Sequence, residues 1–168
     1  LNSNKPEPVH VDQHEYKTTI APNELETYGV GPCIAVAIIF QNRGFLFHTP
    51  YLDFDEDSIV EPFLADVASC ISTTKRKMIS PIIVGGSFET MKVRGVDIAG
   101  VNEMTADCRI DVQQLLLAAG FAEPRIRWGR PSESQNLRCD LGKALVHWST
   151  DYIAPKRRPT VHHSPLVF

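Results

Sequence analysis

Cys33 stands where a glycine-containing turn meets an apolar run, in Thr27-Tyr28-Gly29-Val30-Gly31-Pro32-Cys33 followed by Ile34-Ala35-Val36-Ala37-Ile38-Ile39-Phe40. A cysteine nucleophile needs a thiolate, a neighbouring imidazole to take the proton, and often a third group to orient that imidazole. The run from Ile34 to Phe40 reads as a buried strand, Asn42-Arg43-Gly44 as a turn, and Phe45-Leu46-Phe47-His48 as the returning partner. Such a hairpin carries His48 back toward the end of the sheet at which Cys33 begins. Backbone N–H groups released by the turn are suited to stabilising an oxyanion. Free cysteine is also among the most buried residue types, so spacing alone leaves a second reading open: a buried thiol and an unrelated histidine.

The other reactive side chains are placed less suggestively. Cys70 and Cys108 fall on apolar stripes at helical spacing and are expected in the core; Cys139 falls in a strand and is expected to be half exposed. None of the three is expected to be catalytic. The four cysteines form no CxxC pair, which fits neither a zinc ribbon nor a dense disulfide framework and points to a reducing compartment. The histidines are scattered apart from His162-His163, which sit in a proline-flanked tail. A zinc centre needs at least three converging ligands, and this distribution offers no such set. His147 alternates with apolar neighbours and reads as an exposed strand residue. The pair Gly85-Gly86 closes a buried strand; glycines there turn the chain or admit a ligand or backbone closely. Gly31, Gly85 and Gly86 are therefore candidate substrate-binding positions.

The elements that must hold these residues follow from periodicity. Residues 9–19 read as a first strand, with Tyr16 and the threonines suiting a pleated surface. A helix is expected over about 61–73, with Pro62 in its first turn and Phe63, Val67, Cys70 and Ile71 as its stripe. Residues 81–86 read as a buried strand. A second helix is expected over about 107–119, with Cys108, Val112, Leu115, Leu116 and Ala119 inward and Gly120 as its stop. Strands at 125–128, 136–141 and 144–148 complete the pattern. This order predicts an α+β domain, mostly antiparallel sheet packed with two main helices.

At 168 residues, 43% hydrophobic and 22% charged, the chain suits one domain spanning 1–168, with a loosely ordered N-terminus (about 1–8) and C-terminal tail (about 151–168). A net charge of -3 gives no general pull toward phosphates, so nucleic acid is not an expected partner. The tail Lys156-Arg157-Arg158 reads as a solvated terminus. No apolar run approaches the roughly 20 residues that cross a bilayer. The opening LNSNKPEPVH has no charged leader followed by an apolar core, so no signal peptide and no membrane insertion are expected.

Taken together, these motifs resemble the CheD family of chemotaxis receptor glutamine deamidases, which is similar in fold and site to the catalytic domain of cytotoxic necrotizing factor toxins. The family's Thr, Gly-x-Gly-Ser-Cys turn, apolar strand and His-containing strand are resembled by Thr27 to Cys33 and then Phe47-His48. Its glycine pair resembles Ile83-Val84-Gly85-Gly86-Ser87, its following helix Arg109 to Leu116, and its closing hairpin Arg138 to Trp148. The opening Val11-Asp12-Gln13-His14-Glu15-Tyr16 has a counterpart in the family's first strand. The resemblance spans about residues 9–149, and the cysteine turn is its most specific part.

The resemblance implies a CheD-like layered sandwich in the cytoplasm, with Cys33 as nucleophile, His48 as general base and acid, and Thr27 supporting His48. It implies deamidation of glutamine side chains in a partner protein, a chemotaxis receptor or another, with glutamyl ester hydrolysis open to the same acyl-enzyme. No metal or organic cofactor is implied. Pro32 replaces the family's usual Ser, removing one N–H and one hydroxyl beside the nucleophile. The segment Gly129-Arg130-Pro131-Ser132-Glu133-Ser134 matches the family loop only approximately, and the acidic LDFDEDS after His48 departs from it. A non-catalytic binding module of the same fold, using the acidic loop and sheet edge, is the competing reading.

Overall fold

The computed structural model describes residues 4–52, 58–90, 92, 94–152 and 164–167. Among them are two five-stranded sheets and a layer of helices. One sheet holds β1 (Val9–His10), β3 (Glu24–Val30), β8 (Glu133–Asp140), β9 (Leu145–Tyr152) and β10 (Ser164–Val167), side by side in that order. The other runs β2 (Glu15–Ile20), β5 (Arg43–Thr49), β4 (Ile34–Phe40), β6 (Ile82–Gly85), β7 (Arg125–Trp128). Pairing is antiparallel except for β1 with β3 and β6 with β7. The expected α+β class holds, with α1 (Val60–Cys70) and α3 (Ile98–Ala118) as the main helices and α2 (Thr73–Arg76) a single turn.

β4 is apolar throughout because both of its faces are covered, which is why its sequence does not alternate. Ala35 and Ala37 face the layer between the sheets, with Leu46 of β5, Val84 of β6, and Leu137 and Cys139 of β8. Ile34, Val36 and Ile38 face the helices, meeting Phe45 and Phe47 of β5, Phe63 and Val67 of α1, and Val112 and Leu116 of α3. Fully burying each such side chain contributes on the order of 1.5–3 kcal/mol.

Several expectations are corrected. The single strand expected at 9–19 is two, and they belong to different sheets: the chain crosses between them at residues 11–14, where His14 takes φ 68°. β3 falls in a stretch for which no strand was expected. Glu24 is buried, and its charge is met by Arg138 of β8 and Lys5. α3 begins nine residues before the expected start; the Asp97 side chain caps it by accepting from Gly100 N–H at 3.2 Å. Cys70 is exposed, since it lies at the edge of the α1 stripe in the last turn, while Cys139 is fully buried between the sheets. His147 is half-buried. In the expected loose tail, β9 runs on to Tyr152 and Ser164–Val167 pairs antiparallel with it. Lys156-Arg157-Arg158, His162-His163 and most of the acidic loop lie outside the described residues.

Candidate active site

Cys33 precedes β4, the central strand of its sheet, so it sits at a strand's end and not at a lateral edge. Ala35 is the direct partner of His48 on β5. Residues two apart on a strand share a face, so Cys33, Ala35 and His48 all point into the layer between the sheets. Cys33 packs against that inter-sheet core and is half-buried.

Thr27 comes to His48 from the opposite sheet. β3 presents its hydroxyl inward, fully buried, and Oγ1 lies 2.8 Å from His48 Nδ1. The same hydroxyl donates to the Val11 carbonyl at 2.7 Å. A hydroxyl has one proton, and Val11 receives it; Oγ1 therefore accepts from His48 Nδ1–H. That fixes the tautomer. Nε2 is left with its lone pair free, and it is buried without a hydrogen-bond partner. Cys33 does not hydrogen bond to it in the resting structure, although both lie on the same face.

Burial sets the protonation of both groups. It pushes the Cys33 thiol up to about 11, partly offset by the thiol's own backbone N–H. It brings His48 down to about 4, with His14 and His10 acting in the same direction and Asp12 opposing. At neutral pH the resting groups are a neutral thiol and a neutral imidazole, not a preformed thiolate–imidazolium pair. The neutral imidazole has a lone pair to take a proton, while burial weakens it as a base.

The turn carrying Cys33 is bolted to the end of β6. Gly86 N–H donates to the Cys33 carbonyl at 2.7 Å and Ser87 N–H to that of Gly31 at 3.0 Å. Gly85 takes φ 97°, and a Cβ there would lie 2.2 Å from the Cys33 carbonyl oxygen. Only glycine lets the two backbones approach this closely. Gly85 N–H in turn donates to the side chain of Gln135, fully buried on β8, at 2.6 Å. Arg109 of α3 donates from Nε to the Gly86 carbonyl at 2.7 Å, its guanidinium lying over Phe88 and Trp128. Gly31 and Gly85-Gly86 thus meet at the nucleophile turn.

Outside the thiol is a pocket of about 340 Å³. Its walls are Pro32 and Cys33 from the turn, Pro50 and Tyr51 beyond β5, and Val101 and Met104 of α3. Gln13, from the crossover between the sheets, completes the lining beside Thr105. Val11, Gln135, Arg109 and Gln13 were not singled out as site residues in the sequence. The first two act from a crossover and a strand whose placement depends on tertiary pairing. Among the described residues, no group of three or more His, Cys, Asp or Glu could hold a metal ion. No helix among them is long and apolar enough to cross a membrane.

No protein-family model matches the chain, and no curated protein matches it.

Proposed function

We propose that this protein is a cysteine-dependent protein-glutamine deamidase of the CheD-like type, with Cys33, His48 and Thr27 as its catalytic triad. The observation carrying this reading is the buried Thr27–His48 hydrogen bond, with the threonine proton already committed to Val11. A histidine in a merely structural role has no need of a fixed tautomer with a free, buried Nε2 turned to the thiol's side of the sheet.

In the mechanism, Cys33 Sγ attacks the side-chain carbonyl carbon of a glutamine as its proton passes to His48 Nε2. The C=O pair moves onto oxygen. When the tetrahedral species collapses, the C–N bond breaks and His48 returns the proton to the departing nitrogen, releasing ammonia and a thioester. Water, deprotonated by the same Nε2, then cleaves the thioester to glutamate and free thiol. Because the thiol rests protonated, proton transfer accompanies attack. The absence of charged side chains from the described pocket lining suits an amide better than a carboxylate, which favours release of the glutamate product. The reading places the protein in the cytoplasm, where thiols stay reduced. A chemotaxis receptor or another partner protein supplies the glutamine.

Hydroxylamine trapping tests it. With denatured casein as glutamine donor and hydroxylamine competing with water, wild-type protein yields γ-glutamyl hydroxamate on casein and Cys33→Ser does not. Equal yields from the two proteins would discard the acyl-enzyme and favour the binding module.

A further inference from the structure

The nucleophile's own turn is short of donors for an oxyanion. Pro32 has no N–H, and the N–H of Gly31 is spent on the Gly29 carbonyl at 3.0 Å. Within residues 31–33 that leaves the N–H of Cys33, which at rest is turned to its own thiol. An acyl-transfer site gains most of its rate from donors aimed at the developing oxygen charge, and a side-chain amide serves as well as a backbone N–H.

Gln13 is the side-chain amide of the pocket that Cys33 opens into. It lines the same pocket as Cys33 and is solvent-exposed. Its backbone is fixed from both sides by the site itself. The Val11 carbonyl accepts from Thr27 at 2.7 Å, Val11 N–H donates to the Glu26 carbonyl at 2.8 Å, and His14 N–H donates to the His48 carbonyl at 2.8 Å. A carboxylate close to a forming oxyanion would oppose it, but the neighbouring Asp12 is turned to His10, at 3.0 Å. Thr105 and Tyr51 also bring hydroxyls to the lining; that of Thr105 is committed to the Val101 carbonyl at 2.9 Å.

We propose that Gln13 is a catalytic residue: its side-chain N–H₂ donates to the oxyanion jointly with the backbone N–H of Cys33, replacing the donor that Pro32 removes. This rests on Cys33 being the nucleophile, but not on glutamine being the substrate.

The experiment compares two reactions of the same thiol in a Cys70→Ser background. p-Nitrophenyl acetate acylates Cys33 through a tetrahedral oxyanion: the C–S bond forms, the C–O bond breaks, and nitrophenolate leaves. Iodoacetamide alkylates Cys33 by displacement of iodide, with no oxyanion. Gln13→Leu is expected to lower acylation about 10²-fold, the scale of losing one oxyanion donor, while alkylation stays within about twofold. Tyr51→Phe, which removes another hydroxyl from the pocket wall, is expected to lower acylation by much less than Gln13→Leu. The proposal is overturned if acylation is unchanged in Gln13→Leu, if both rates fall together, if Tyr51→Phe causes the loss instead, or if wild-type Cys33 is not acylated. Gln13-dependent acylation in a protein that never deamidates glutamine would discard the proposed substrate and leave this assignment standing.

Discussion

Replacing Thr27 by Val keeps the side-chain shape and removes the hydroxyl, and two buried groups lose their partner at once. The Val11 carbonyl loses a donor at 2.7 Å and His48 Nδ1–H an acceptor at 2.8 Å. Each stranded buried group costs about 1–3 kcal/mol, so Thr27→Val is expected to lose about 2–6 kcal/mol of stability in chemical denaturation. Catalysis suffers through the tautomer. Without Oγ1 as acceptor, the Nδ1–H form loses about 1–3 kcal/mol of preference, and the ring is free to carry its proton on Nε2, where it cannot serve as base. At about 1.36 kcal/mol per decade, turnover is expected to fall roughly 5- to 160-fold at equal folded fraction. Thr27→Ser keeps the hydroxyl and loses one methyl, about 0.8 kcal/mol of burial, with most turnover retained. Long-range nitrogen–proton NMR of the His48 ring reads the tautomer directly, with no substrate. Nδ1–H is expected in the wild type and in Thr27→Ser, and a mixture or Nε2–H in Thr27→Val. A Val variant with the wild-type tautomer and wild-type turnover would remove Thr27 from the mechanism.

Gly85→Ala would force a side chain into φ 97° with its Cβ 2.2 Å from the Cys33 carbonyl; a loss of about 3–5 kcal/mol is expected, and unchanged stability by denaturant titration would contradict the tight approach of β6 to the turn. The pH dependence of stability follows from the two shifted groups. His48 falls in the folded state from 6.5 to about 4, so its contribution is full above the unfolded value and is lost as pH drops through that window, up to about 3 kcal/mol. Cys33 rises from 9.0 to about 11, so its contribution is present below 9 and is lost as pH climbs toward 11. Denaturation midpoints measured across pH in wild type, His48→Gln and Cys33→Ser separate the two; an acid limb that persists in His48→Gln would assign that limb to another group.

The parts of the fold that hairpin and periodicity arguments reach were legible in the sequence. Residues 34–40 gave β4 with its bounds as expected, and the turn at Asn42 returned the chain along β5 to His48. What stayed hidden depends on partners distant in the chain. β3 carries Glu24, a buried carboxylate whose partners Arg138 and Lys5 are distant in the chain. The crossover at residues 11–14 was hidden because the residues on either side are both extended, and only sheet membership tells them apart. The site divides in the same way. Cys33 and His48 are joined by a local hairpin, and spacing was enough to bring them to one end and face of the sheet. Thr27 reaches His48 across two sheets, and without the family resemblance nothing in its own sequence context would have singled it out.

The most direct test of the central claim is deamidation itself, read by mass spectrometry in ¹⁸O-labelled water. A denatured protein extract is incubated with wild-type protein, with Cys33→Ser and with His48→Ala, then digested and compared. Replacement of a glutamine amide by an acid adds about 1 Da, and about 3 Da when the hydrolytic oxygen is ¹⁸O, through a cysteine acyl-enzyme that water resolves. The account predicts glutamine-derived glutamates carrying the heavy oxygen in the wild-type reaction and none above background in either variant. Heavy-labelled glutamate formed equally by Cys33→Ser, or by no form of the protein, would contradict it.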